Sequence, residues 1–214
     1  IPLLEGRKQQ RISIFSTIKG QGEVYFELKV PPAKPIFVEY KYIKSVSRKQ
    51  NDGTYKTLFT VPESDIPKLT VANKGRNDAK VSSVAYPDYS KYTDTNSSGQ
   101  PILFDGDKIE YAWVIYNIGP GNSAPGTTRK LTDKPDKGLV VDNINGWTRD
   151  GSNYTKTITL SKSLVGFRGT ATTPAYYTGT DTTITFRTDM HSVPNIKQEP
   201  IILKNNNTNP GEFH

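Results

Sequence analysis

The sequence predicts an all-β protein built from antiparallel strands packed as a sandwich, and three observations carry that expectation. Apolar and polar residues alternate over short runs, turn residues punctuate those runs, and no long segment repeats its apolar residues at the helical period of 3.6. The composition agrees. Only 34% of the 214 residues are hydrophobic, while 17 glycines and 15 prolines supply many turns, which suits numerous short strands.

Taken in chain order, Arg11–Lys19 and Glu23–Val30 read as a hairpin across Gly20-Gln21-Gly22. In its second arm Val24, Phe26, Leu28 and Val30 alternate with Glu23, Tyr25, Glu27 and Lys29, the pattern of a half-buried strand. The proline-rich run from Pro31 to Pro35 interrupts pairing. A second hairpin follows around Asn51-Asp52-Gly53, where Asp-Gly supplies the backbone a tight turn needs. A further proline-rich break, Pro62–Lys68, marks a boundary. It divides the chain into a smaller N-terminal β module over 1–65, either separate or part of the same sandwich, and a larger sandwich over 66–207. The closing residues 208–214, ending in "GEFH", read as a vector-derived tail, and a start at Ile1 reads as a fragment of a longer polypeptide.

Beyond the boundary, strands are expected at Lys68–Lys74, Ala79–Tyr86, Lys108–Ile118, Gly138–Asp142, Asn153–Leu160 and Thr182–Arg187, with a last apolar piece at Pro200–Leu203. The strand in "GDKIEYAWVIYNIGPG" puts Ile109, Tyr111, Trp113 and Ile115 on one face, and Glu110, Ala112, Val114 and Tyr116 on the other. Both faces are partly apolar, so this is the central strand of a sheet and its Trp belongs to the core. Asp107, in the entry turn, has a carboxylate suited to accepting backbone N–H groups.

Several function classes are disfavoured. The formal charge of +7 is spread along the chain and accompanies no nucleic-acid motif, so no nucleic acid is expected as partner. Cysteine is absent, which leaves no thiol nucleophile and no disulfide staple. There is no run of 18 apolar residues, so no direct membrane insertion is expected, and no apolar leader precedes Lys8. Two histidines, no Gly-x-Ser-x-Gly elbow and no phosphate-cradling loop leave no catalytic constellation. The expectation is a protein that is not an enzyme, with no cofactor and no metal site.

The order of features from Pro67 to about Met190 resembles the repeated immunoglobulin-like modules of Gram-positive cell-surface proteins, the adhesins and fimbrial subunits. The resemblance rests on Gly106-Asp107, Tyr111, Asn117-Ile118-Gly119, Gly138-Leu139 and Gly179-Thr180. It implies an immunoglobulin-like antiparallel β-sandwich in a structural or adhesive segment at the cell surface or in the cell wall, outside the cell. The partners it implies are neighbouring modules of the same polypeptide and host extracellular matrix, mucin or glycans. Some such modules form an intramolecular Lys–Asn isopeptide bond beside a buried acid. Here the resemblance offers Lys68 or Lys74 as nucleophile, Asp107 as acid and Asn205 in the run 205–207 as amide donor. Solvated lysines and a turn aspartate are the plainer reading of the same residues. An alternative is a carbohydrate- or host-protein-binding tip that uses the tyrosine-rich segments, Tyr86, Tyr89 and Tyr92 in one and Tyr176 and Tyr177 in the other. A third reading is a phage or virus attachment protein.

Overall fold

The alternating runs do pair as antiparallel strands. In the computed structural model the backbone is described for residues 10–18, 21–189 and 201–202, and side chains for 31–189. Strands β1 (Gln10–Ile18) and β2 (Gln21–Val30) pair with each other as expected. The principal sheet runs in the order β10 (Leu139–Asn143), β14 (Ile184–Thr188), β8 (Lys108–Asn117), β3 (Phe37–Lys49) and β4 (Tyr55–Thr60), and β13 (Ala175–Tyr177) also pairs with β8. A three-stranded sheet holds β11 (Thr148–Asp150), β12 (Asn153–Thr159) and β9 (Thr128–Asp133). Two smaller ladders join β5 (Lys68–Ala72) to β6 (Lys80–Ala85) and β7 (Ile102–Leu103) to β15 (Ile201–Ile202). All these pairings are antiparallel, and there is no α-helix among the described residues.

The central place of β8 follows from its side chains. From Tyr111 to Asn117 every residue is buried, and a strand that is apolar on both faces must have cover on both. Its long partner is β3, in register from Phe37 opposite Asn117 to Ser47 opposite Lys108. The expected boundary between 1–65 and 66–207 therefore cuts through one continuous sheet. A bulge between Ile43 and Ser45 adds one residue to β3, so Ile43 and Val46 both turn to the face of Tyr111 and Ile109. Lys44 is left at the rim, where its ammonium lies 2.8 Å from Glu110.

The two faces of the sheet carry different cover. On one, Trp113 meets Trp147 with ring centroids 4.7 Å apart and Phe186 meets Tyr154 at 5.7 Å. Those contacts bring β8 and β14 against the segment of β11 and β12. On the other, Tyr40 meets Tyr86 edge to face, and the Tyr116 hydroxyl donates to the Pro67 carbonyl. Residues 66–92 therefore cover that side.

At the exit of β8, Asn117 is fully buried and its amide is fully used. Its Oδ1 accepts from the Ile36 and Gly119 backbone N–H groups, both at 3.1 Å, and its Nδ2 donates to the carbonyls of Gly121 and Leu164 at 2.8 and 3.1 Å. Three chain segments converge on this one side chain. They pack so closely that a Cβ on Gly119 would stand 2.3 Å from the Lys34 carbonyl oxygen, and one on Gly166 would stand 2.1 Å from that of Pro120. Asn117→Ala orphans several buried backbone groups, each costing about 1–3 kcal/mol. The expected result is a loss of roughly 3 kcal/mol or more in urea unfolding, and an unchanged midpoint would refute the role given to Asn117.

Candidate functional site

Those of the residues singled out from sequence that the structure describes do not meet in one place. Lys68 stands exposed at the start of β5, and Lys74 lies 5.7 Å from the Phe167 ring centroid. Asp107 is buried, and its Oδ2 accepts from the Phe104 N–H at 2.9 Å, the backbone bond expected of it in the turn. The rest of its carboxylate is taken by Arg48, whose Nε and Nη2 donate at 3.1 and 3.0 Å. Asp107 thus has a structural partner 59 positions away. Asn205 lies outside the described residues.

The tyrosines separate by environment. Tyr89 is buried, and its hydroxyl accepts from the Ile43 N–H at 2.9 Å. Tyr92 stacks on Phe59 at 5.7 Å and donates to Asp65, which pushes its phenol up to about 12. Tyr177 is buried and donates to Asp181 at 3.0 Å. These three rings close the fold. Tyr86 remains exposed beside Tyr40, and Tyr176 is half-buried with its hydroxyl 3.0 Å from Glu63.

The chemically unusual place is one the sequence reading passed over. Lys41 on β3 and Asp133 at the end of β9 form an ion pair with side-chain exposures of only 3% and 0%. The Lys41 Nζ donates to Asp133 Oδ1 and sits 3.9 Å from the Tyr111 ring centroid and 5.6 Å from that of Trp113. The second carboxylate oxygen, Oδ2, is buried with no hydrogen-bond partner among the described residues. Burial disfavours charge on both groups. It pulls the Lys41 ammonium below its usual range against the opposing field of Asp133, and it pushes Asp133 up against the opposing charge of Lys41.

A second pair runs alongside. Two residues before Lys41, Glu39 is 1% exposed and accepts from Arg129, which lies four residues before Asp133. Leu131 between them is fully buried. The inward face of β9 is therefore Arg129, Leu131 and Asp133, set against Glu39 and Lys41 of the principal sheet. Strand β9 was not foreseen because two of its three inward positions are charged, which hides the alternation. Its signal is present all the same: "TRKLTD" places opposite charges at i and i+4 around a leucine.

Such an arrangement can do two things chemically. It can hold two sheets in register by charge, or it can condense, since a neutral amine against a neutral carboxylic acid is an amide lacking only the loss of water. Among the described residues no group of histidines, cysteines and carboxylates could hold a metal ion. No protein-family model matches the chain, and no curated protein or solved structure matches it.

Removing one partner leaves the other buried alone, which costs about 3–5 kcal/mol, whereas replacing both with apolar residues of similar size is often neutral. Lys41→Met alone should lower stability by at least that amount, and Lys41→Met with Asp133→Leu should recover only the part due to the stranded aspartate, not the part due to any covalent bond between the two, in the same denaturation assay. Additive losses would show that the two residues act independently.

Proposed function

We propose that the chain is a non-enzymatic, load-bearing segment of a bacterial cell-surface protein, an immunoglobulin-like sandwich in which an amide between Lys41 Nζ and Asp133 Cγ locks the two facing sheets. The observation that carries the reading is the dry contact of that amine with that carboxyl between β3 and β9. The turn pattern of "GDKIEYAWVIYNIG" and the all-β, antiparallel architecture support it. The segment works outside the cell, as a stalk between neighbouring modules or as an attachment module that reaches host matrix, mucin or glycans.

The step balances without any added reagent. A proton passes from the Lys41 ammonium to the Asp133 carboxylate, leaving an amine and a carboxylic acid. The nitrogen lone pair attacks Cγ, the Nζ–Cγ bond forms, the Cγ–OH bond breaks, and the hydroxyl departs with a proton from nitrogen as water. Fixed proximity is the main source of rate, since well-oriented intramolecular pairs react with effective molarities of about 10⁵ M or more. Burial supplies the neutral forms that the attack needs.

The mechanical consequence follows from the topology. Lys41 and Asp133 are 92 positions apart, so an amide between them closes most of the chain's middle into a loop that force on the termini cannot extend. Closing a loop of that order stabilises by about 4–5 kcal/mol in the chain-entropy account.

Intact mass under denaturing conditions tests the proposal. The chain should weigh less than its sequence by one water molecule, and Lys41→Met should show its full sequence mass. An undiminished mass for the unmodified chain would sink the reading. So would a deficit of ammonia in place of water, because that would assign the lysine to an asparagine.

A further inference from the structure

The tyrosine and carboxylate surface on the opposite face of β3 carries an inference that goes beyond the load-bearing reading and does not depend on it. Strand alternation turns Tyr42 away from the face of Lys41. There, Glu63 at the start of the 3₁₀ turn Glu63–Asp65 stands in the wall between two hollows. One, of about 220 Å³, is bordered by Tyr42, Lys44, Thr178 and Thr180. The other, of about 510 Å³, has Leu164, Phe167 and Pro174 in its lining and Tyr176 beside Glu63. The larger alone falls in the range of about 300–1,000 Å³ common to small-ligand sites.

We propose that the two hollows form one groove for an uncharged oligosaccharide, with Tyr176 as the stacking platform and Glu63 as the acceptor for sugar hydroxyl groups. A pyranose presents an apolar face of C–H bonds and a rim of hydroxyls, and this surface offers the complement of each. The Tyr176 ring is half-exposed, and it is braced from behind by Tyr116 at 5.5 Å. Its hydroxyl donates to Glu63 Oε1, which orients the carboxylate in the wall that both hollows share. Tyr42 stays a protonated donor, its phenol pushed up to about 12 by burial and by the charges of Glu110 and Glu63. The smaller hollow's cation, Lys44, is engaged with Glu110 at 2.8 Å, and the larger hollow is bordered by one charge of each sign, Lys162 and Glu63. A neutral ligand therefore fits better than an anion.

The groove is also pre-organised, which lowers the entropic cost of binding. The loop that forms its far wall is pinned by Leu164 N–H to Ser123 Oγ at 2.7 Å, Gly166 N–H to Asn122 Oδ1 at 2.7 Å, and Phe167 N–H to the Gly119 carbonyl at 2.6 Å. Although it is held this firmly, the loop presents Val165 at 64% exposure. An apolar side chain fixed outward on a rigid loop at the rim of a hollow gives a sugar ring a second surface to lie against.

Saturation-transfer and chemical-shift NMR on the full chain, with lactose, maltose and N,N′-diacetylchitobiose as probes, tests the groove. At least one disaccharide should give saturable shifts, and Glu63→Gln and Tyr176→Leu should each weaken it by about tenfold, equivalent to about 1.4 kcal/mol. Lys41→Met should bind as the unmodified chain does, which separates this outcome from that of the cross-link. No saturable shift with any of the three probes, or shifts that survive either groove substitution, would overturn the proposal.

Discussion

The arrangement of this protein depends on burying a lysine and an aspartate together. Taking two ions out of water costs several kcal/mol each, and only close contact offsets it. Lys41 and Asp133 meet that condition by facing each other from different sheets, with the ammonium over the Tyr111 ring. Neither strand can shift by one residue without turning its charged group to the wrong side. The neighbouring Glu39–Arg129 contact repeats the constraint along the same two strands. Between them the two pairs fix how β9 lies against β3, which an apolar interface, being non-directional, would specify less sharply.

The second organising element is of another kind. Asn117 holds the exit of β8, the approach to β3 and the loop near Leu164 through one amide group with all its bonds satisfied. The charged pairs set one sheet against the other. The asparagine fixes how the connecting loops leave them. It also bears on the proposed groove, because the loop that it pins at Leu164 lines the hollow beside Tyr176. A substitution at Asn117 therefore reaches both stability and the groove, while substitutions at Lys41 reach only the first.

Much of the fold was legible where residues obey period two without conflict. The pattern of β8 placed it as the central strand, and the Asp-Gly turn joined β3 to β4 as expected. The site was not legible, for a physical reason. On β3, Glu39 and Lys41 alternate with Tyr40 and Tyr42, so the apolar pattern points to the tyrosine face and the charged face reads as solvent. On β9 only Leu131 marks the inward side. Placing the first strand of the larger unit at Lys68 directed attention to Lys68 and Lys74 and away from Lys41, since the strand beside β8 begins at Phe37. The tyrosines show the same limit. Composition identified the segments, but only packing distinguishes Tyr89, which is closed into the core, from Tyr176, which lines a hollow.

The central claim is that nitrogen and carbon are joined at Lys41 and Asp133, and lysine labelled with ¹⁵N at Nζ reads that bond directly. A cross-linked chain should show one lysine side-chain nitrogen in the amide region, coupled to a single proton and protected from exchange by burial, and Asp133→Ala should remove it. All lysine signals in the ammonium region of the folded, unmodified protein would contradict the account and leave the pair as an ionic contact alone.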